Sequence, residues 1–94
     1  MKLQVKFQLG DVKVDEIVEG ENAEAIVSTM QKRVAAKANF LVAAVIRGMT
    51  PLQFAQEAMR RYNTSAKDNA PIPATCDEFI LNGIARQFAT VLEE

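Results

Sequence analysis

Over the first nine residues Leu3, Val5, Phe7 and Leu9 alternate with Lys2, Gln4, Lys6 and Gln8. A period of two with Val and Phe on one side predicts a strand with one wet face. Gly10-Asp11 fits a two-residue hairpin turn with glycine in its first central position. Val12 and Val14 then resume the alternation. The pattern slips at Glu16-Ile17-Val18, a place for a bulge or for the strand's end, and Gly20 closes a hairpin over residues 2–19.

Beyond Gly20 the period changes. Asn22 is placed to cap a helix with Glu24 in its first turn, and Ile26, Val27, Met30, Val34, Ala38 and Leu41 form a helical stripe. The stretch NFLVAAVIRGM, residues 39–49, is the most apolar in the chain. As a strand it would be apolar on both faces, which suits a sheet covered on both sides rather than one beside a half-polar hairpin. As a helix it continues the stripe through Ala44 and Val45 and stops at Arg47-Gly48, a basic last turn followed by glycine at C′. The expectation is helix over about 22–47, either unbroken or as two helices meeting at Asn39, with the all-round apolar part buried in the core.

Thr50-Pro51-Leu52-Gln53 reads as a capping box with proline in the first helical position, and Met49 and Phe54 have staple spacing. The helix it starts is predicted over 50–63, with Leu52, Ala55, Met59 and Tyr62 on its apolar face. Pro71 and Pro73 favour extended backbone, so 64–74 is predicted as loop. Thr75-Cys76-Asp77-Glu78 reads as a second capping box, opening a helix over 75–92 along Ile80, Leu81, Ile84, Phe88, Val91 and Leu92. Gly83 inside it points to a close crossing with another helix. The fold class is therefore α+β: a single domain, 1–94, with an N-terminal β-hairpin packed on a bundle of three or four helices.

Composition narrows the chemistry. The chain has 94 residues, no histidine and one cysteine. Histidine-dependent triads, intrachain disulfides and Cys-based zinc sites are all excluded. No Gly-rich phosphate loop, nucleophile elbow or calcium loop is present. No catalytic residue, no metal site and no cofactor is expected. The opening MKLQVKF interleaves charge with apolar residues, unlike a signal-peptide core. The uninterrupted apolar run Phe40 to Ile46 is seven residues, far short of the ~20 that span a bilayer. The expected compartment is cytoplasmic, with no membrane partner.

Net charge is −1, but Lys32 to Lys67 carries seven cations against the single carboxylate Glu57. Arg60, Arg61 and Lys67 are the candidate anion or partner contacts, placed near a helix C-terminus where cations also complement the dipole. Tyr62 lies beside them but on the apolar face, where packing claims it. Cys76 opens a helix, a position that favours thiolate, whereas Asp77 and Glu78 oppose one.

These features rank three functions. The first is a small non-enzymatic interaction or regulatory module, acting as a homodimer or with a protein partner. The second is an anion- or nucleic-acid-binding protein using 32–67, and the third a Cys76-dependent enzyme or redox sensor. A hairpin alone leaves two open edges, and a chain this small gains from burying more surface. The candidate dimer contacts are Val5 and Phe7 on the hairpin and Phe40 and Ile46 on the apolar helix.

Overall fold

The computed structural model describes residues 1–9 and 12–93, with backbone alone at 7–9 and 12. The chain runs β1 (Lys2–Leu9), β2 (Val12–Glu19), α1 (Ala23–Lys37), α2 (Phe40–Arg47), α3 (Pro51–Ala66), α4 (Cys76–Ala85) and β3 (Ala89–Glu93). The expected Gly10-Asp11 turn lies outside the described residues, as does the side chain of Phe7. The hairpin of β1 and β2 joins β3 in a three-stranded antiparallel sheet of order β2-β1-β3, packed against four helices.

Leu3, Val5, Val14 and Val18 point from the sheet into the core, where they meet Ile26, Val27, Met30 and Val34 of α1. Phe54, Ala55 and Met59 of α3 and Phe79 and Ile80 of α4 complete that layer. The other sheet face carries Lys6, Asp15, Ile17 and Thr90 toward solvent. No slip occurs at Glu16: β2 stays in register to Glu19, with Val5 opposite Glu16 and Gln4 opposite Ile17. Glu16 thus sits between Val14 and Val18 on the helix side, where Arg33 bridges it and Lys37 Nζ lies 3.0 Å away. The irregularity falls instead between Lys2 and Leu3, in the ladder to β3.

The C-terminal part differs from the helix expected over 75–92. Helix α4 ends at Ala85, and the stripe residues Val91 and Leu92 belong to β3. The stop is a Schellman motif: Phe88 N–H donates to Gly83 O at 2.9 Å and Gln87 N–H to Ile84 O at 3.2 Å. Gln87, with φ 66°, occupies the left-handed position where glycine is usual. Gly83 makes room for this turn rather than for a helix crossing. A Cβ there would lie 2.7 Å from Cε1 of Phe88, whose ring folds back over α4 and packs at a tilt against Tyr62, with centroids 5.0 Å apart.

The other boundaries move less. Helix α3 keeps its capping box, Thr50 N–H to Gln53 Oε1 at 2.9 Å and Gln53 N–H to Thr50 Oγ1 at 3.1 Å. It runs to Ala66, three residues beyond the expected Asn63, and Lys67 closes it in the left-handed region with φ 54°. At α4, Thr75 Oγ1 accepts from Glu78 N–H at 3.1 Å, but the Glu78 carboxylate reaches one residue further back, accepting from Ala74 N–H at 2.6 Å. Among the described residues no helix is long and apolar enough to cross a membrane.

Candidate functional site: the α2 helix and its groove

Residues 22–47 form two helices because the chain extends at their junction, with ψ 162° at Ala38 and 167° at Asn39. Asn39 then caps α2, its Oδ1 accepting from Val42 N–H at 3.0 Å. The far end is fastened by Gln31 of α1. Its Nε2 donates to Ile46 O at 2.7 Å and to Met49 O at 2.8 Å, and its side chain is buried. Ile46 O belongs to the last turn of α2, where it also accepts from Met49 N–H at 3.1 Å, and Met49 O lies in the connection to α3. Gly48 closes α2 with φ −79°, so this glycine is not there for a left-handed turn.

The most apolar helix is not buried. Phe40 is 83 % exposed, Leu41 75 %, Val45 63 % and Val42 45 %, while Ala43 is buried and Ile46 packs half-buried against the core. The expectation of core burial is overturned, and the reason is geometric. An eight-residue helix packed on one side by α1 has one face to hide, and in α2 every face is apolar. Ringing by apolar residues, read against so short a length, is the signal that sequence reasoning missed.

Between α2 and α3 lies a groove of about 340 Å³. Val34 of α1 and Phe54 and Ala58 of α3 line it, facing Val42, Val45 and Ile46 of α2. Met49 joins them from the connection, and Glu57 and Arg61 supply its charged lining. Leu41, Val42, Val45 and Gln31 had not been singled out as site residues. Ile46 and Phe40 had, and both belong to this region: Ile46 half-buried in the groove, Phe40 standing beside it.

The other candidates are dispersed. Val5 is buried in the central strand, flanked by β2 and β3, and presents neither an edge nor a side chain to another molecule. Arg60 and Arg61 are held by Glu57, at 3.2 and 3.3 Å. With α3 extended to Ala66 they lie before its last turn, so Glu57 rather than the helix dipole answers their charge. Lys67 is exposed beyond the helix end. The Tyr62 hydroxyl donates to Asp68 at 3.4 Å while its ring packs on Phe88, away from any stacking role.

Cys76 is half-buried at the start of α4. Burial, then the carboxylates of Glu24 and Asp77, push its thiol above the ordinary value. Glu24, from the start of α1, takes the part expected of Glu78. Among the described residues no three Cys, Asp or Glu side chains gather as a metal cluster would require. Comparison with protein-family models, with curated proteins and with solved structures finds no match to this chain.

Proposed function

We propose that this protein is a non-enzymatic interaction module that works as a two-fold homodimer through α2. One observation carries the reading: four large apolar side chains stand in water on an eight-residue helix, beside an apolar groove. Contiguous apolar surface of this kind marks interaction sites on folded proteins. Closed two-fold pairs are the commonest homo-oligomers, and a 94-residue chain buries a modest share of its own surface.

The alternatives have less support. A thiol pushed upward in a chain without histidine is a poor nucleophile at neutral pH. Of the seven cations from Lys32 to Lys67, Arg33 and Lys37 engage Glu16, and Arg60 and Arg61 engage Glu57. That leaves less free charge for phosphate than the sequence count suggests. Strand β3 takes the free edge of β1, which removes that edge-pairing route and leaves β2 and β3 as the edge strands.

Sedimentation equilibrium at micromolar concentration tests the reading. The expected species has twice the 10.4 kDa chain mass. Leu41→Asp with Val45→Asp is expected to return it to the chain mass with unchanged far-ultraviolet dichroism, since both side chains face water. A wild-type protein that stays at the chain mass overturns the homodimer.

A further inference from the structure

The surface of α2 holds two complementary shapes. Phe40, 83 % exposed, projects at the helix N-terminus and does not line the groove. The groove runs along the same helix from Leu41 to Ile46 and on to Met49. A two-fold contact uses one patch twice, so a patch that binds itself must carry both a projection and a receptacle. We propose that Phe40 of each copy fills the α2–α3 groove of the other, with the two α2 helices antiparallel across the axis. This rests on the homodimeric reading above and specifies how the two copies fit.

Size supports a second copy as the occupant. The groove, about 340 Å³, lies at the small end of the roughly 300–1,000 Å³ range of sites that enclose a ligand, and is suited to an aromatic ring with a neighbouring side chain. A phenylalanine offers ~150–250 Å², so Phe40 alone presents most of that area. With Leu41, Val42 and Val45 it supplies much of the apolar centre of an interface burying ~800 Å² per partner.

Charge sets the orientation. Between Glu24 and Glu57 the chain has no carboxylate, and Arg47 at the end of α2 makes no ion pair among the described residues. Parallel helices would bring the two Arg47 side chains together. Antiparallel ones place them at opposite ends of a helix ~12 Å long, beyond the ~8 Å screening length at physiological salt. The same arrangement opposes the two helix dipoles favourably and carries each Phe40 toward the far end of the partner's α2, where Ile46 and Met49 line the groove.

The chain contains no tryptophan, so Phe40→Trp places a single indole at the projection. Its emission is expected to shift to the blue as concentration drives association measured by sedimentation. Phe40→Ala removes both projections and is expected to weaken the dimer by up to about a thousand-fold, about thirty-fold for each of two interface hot spots. Two further variants separate a fitted contact from general stickiness. Phe40→Asp removes the projection, and Val42→Phe fills the groove from an exposed wall without touching the core. Each alone is expected to be monomeric, and an equimolar mixture to associate, because the mixed pair recovers one projection in one open groove. A dimer whose indole stays in water, or a mixture that stays monomeric while wild type dimerises, overturns the fit and leaves the homodimer standing. A wild-type monomer overturns both.

Discussion

Helix α2 and the loop over residues 67–75 invert the usual association of regular structure with fixity. The loop has no repeating backbone pattern, yet side chains from two helices hold it. Asn63 Oδ1 accepts from Ala70 N–H and its Nδ2 donates to Ala70 O, both at 2.9 Å. Gln56 Nε2 reaches Pro73 O at 3.1 Å, Asn82 Nδ2 reaches Pro71 O at 3.2 Å, and Arg86 Nε meets Asp68 at 3.0 Å. Ala70 and Pro73 are buried beneath these contacts. Helix α2 is the most apolar and one of the most regular segments, but among the described residues only Gln31 reaches it by a side-chain hydrogen bond from another helix, beside its own Asn39 cap. The difference follows from where backbone groups find partners. A helix satisfies its own N–H and C=O groups and needs help only at its ends, whereas a loop against the core must borrow donors and acceptors from its neighbours.

Breaking the loop's fastening should cost most. Asn63→Ala leaves both Ala70 backbone groups without their partner, and an unsatisfied buried group costs about 1–3 kcal/mol. A total loss of about 2–3 kcal/mol is expected, read as a lower urea midpoint with unchanged slope. An unchanged midpoint would show that water replaces the Asn63 amide and that the loop is not held as described.

Gln31→Ala is the matching cut at α2. Ile46 O keeps its bond from Met49 N–H at 3.1 Å, and both residues are only half-buried, so a global loss of only about 1 kcal/mol is expected. The local effect should be larger. Amide protection across 40–47 is expected to fall while that across α1 and α3 persists, because α2 then detaches as a unit. Uniform loss of protection throughout the chain would mean that α2 is integral to the core.

Protonation separates the regions again. Hydrogen bonds from Lys37 and then Arg33 hold the Glu16 carboxyl below its ordinary 4.5. The Asn69 backbone N–H and then the Arg86 guanidinium hold Asp68 below its ordinary 3.8. A depressed carboxyl binds its proton more weakly in the folded state. Its contribution is complete above the unfolded value and drains away as pH falls through the folded one. Below about pH 4.5, protection is expected to decline at the β2–α1 seam and then in the loop, with no matching change in α2, which carries no carboxylate. Equal acid sensitivity at α2 would contradict this division.

What was legible in the sequence was local. Asn22, Thr50 and Thr75 announce helix starts through side-chain oxygens that reach N–H groups three residues on, and alternation announces β1 and β2. The β3 strand was not legible. Its partner β1 lies at the other end of the chain, and Phe88, Val91 and Leu92 continue a helical spacing from Ile80. The Schellman stop before it uses Gln87 where glycine would have given it away. The candidate site was half legible: Phe40 and Ile46 were named, but their exposure depends on which face α1 covers, a tertiary fact. The Gln31 latch joins residues 15 and 18 positions apart, and nothing local signals it.

The smallest effect is expected at the charged side of the groove. Arg60 and Arg61 share Glu57 at three- and four-residue spacing, with side chains 57 % and 60 % exposed. Exposed pairs of this kind contribute about 0–1 kcal/mol, so Arg60→Ala with Arg61→Ala should change folding stability by less than about 1 kcal/mol. The same variant bears on function. Arg61 lines the groove while Arg60 does not, so if the apolar walls carry association, the double variant should dimerise nearly as well as wild type. A gel-shift assay of the wild type at low salt should likewise show no discrete complex with DNA or RNA. A complex that weakens steeply with salt and disappears in the double variant would reverse the ranking, because counterion release on phosphate binding has that signature. The basic segment, rather than α2, would then be the working surface.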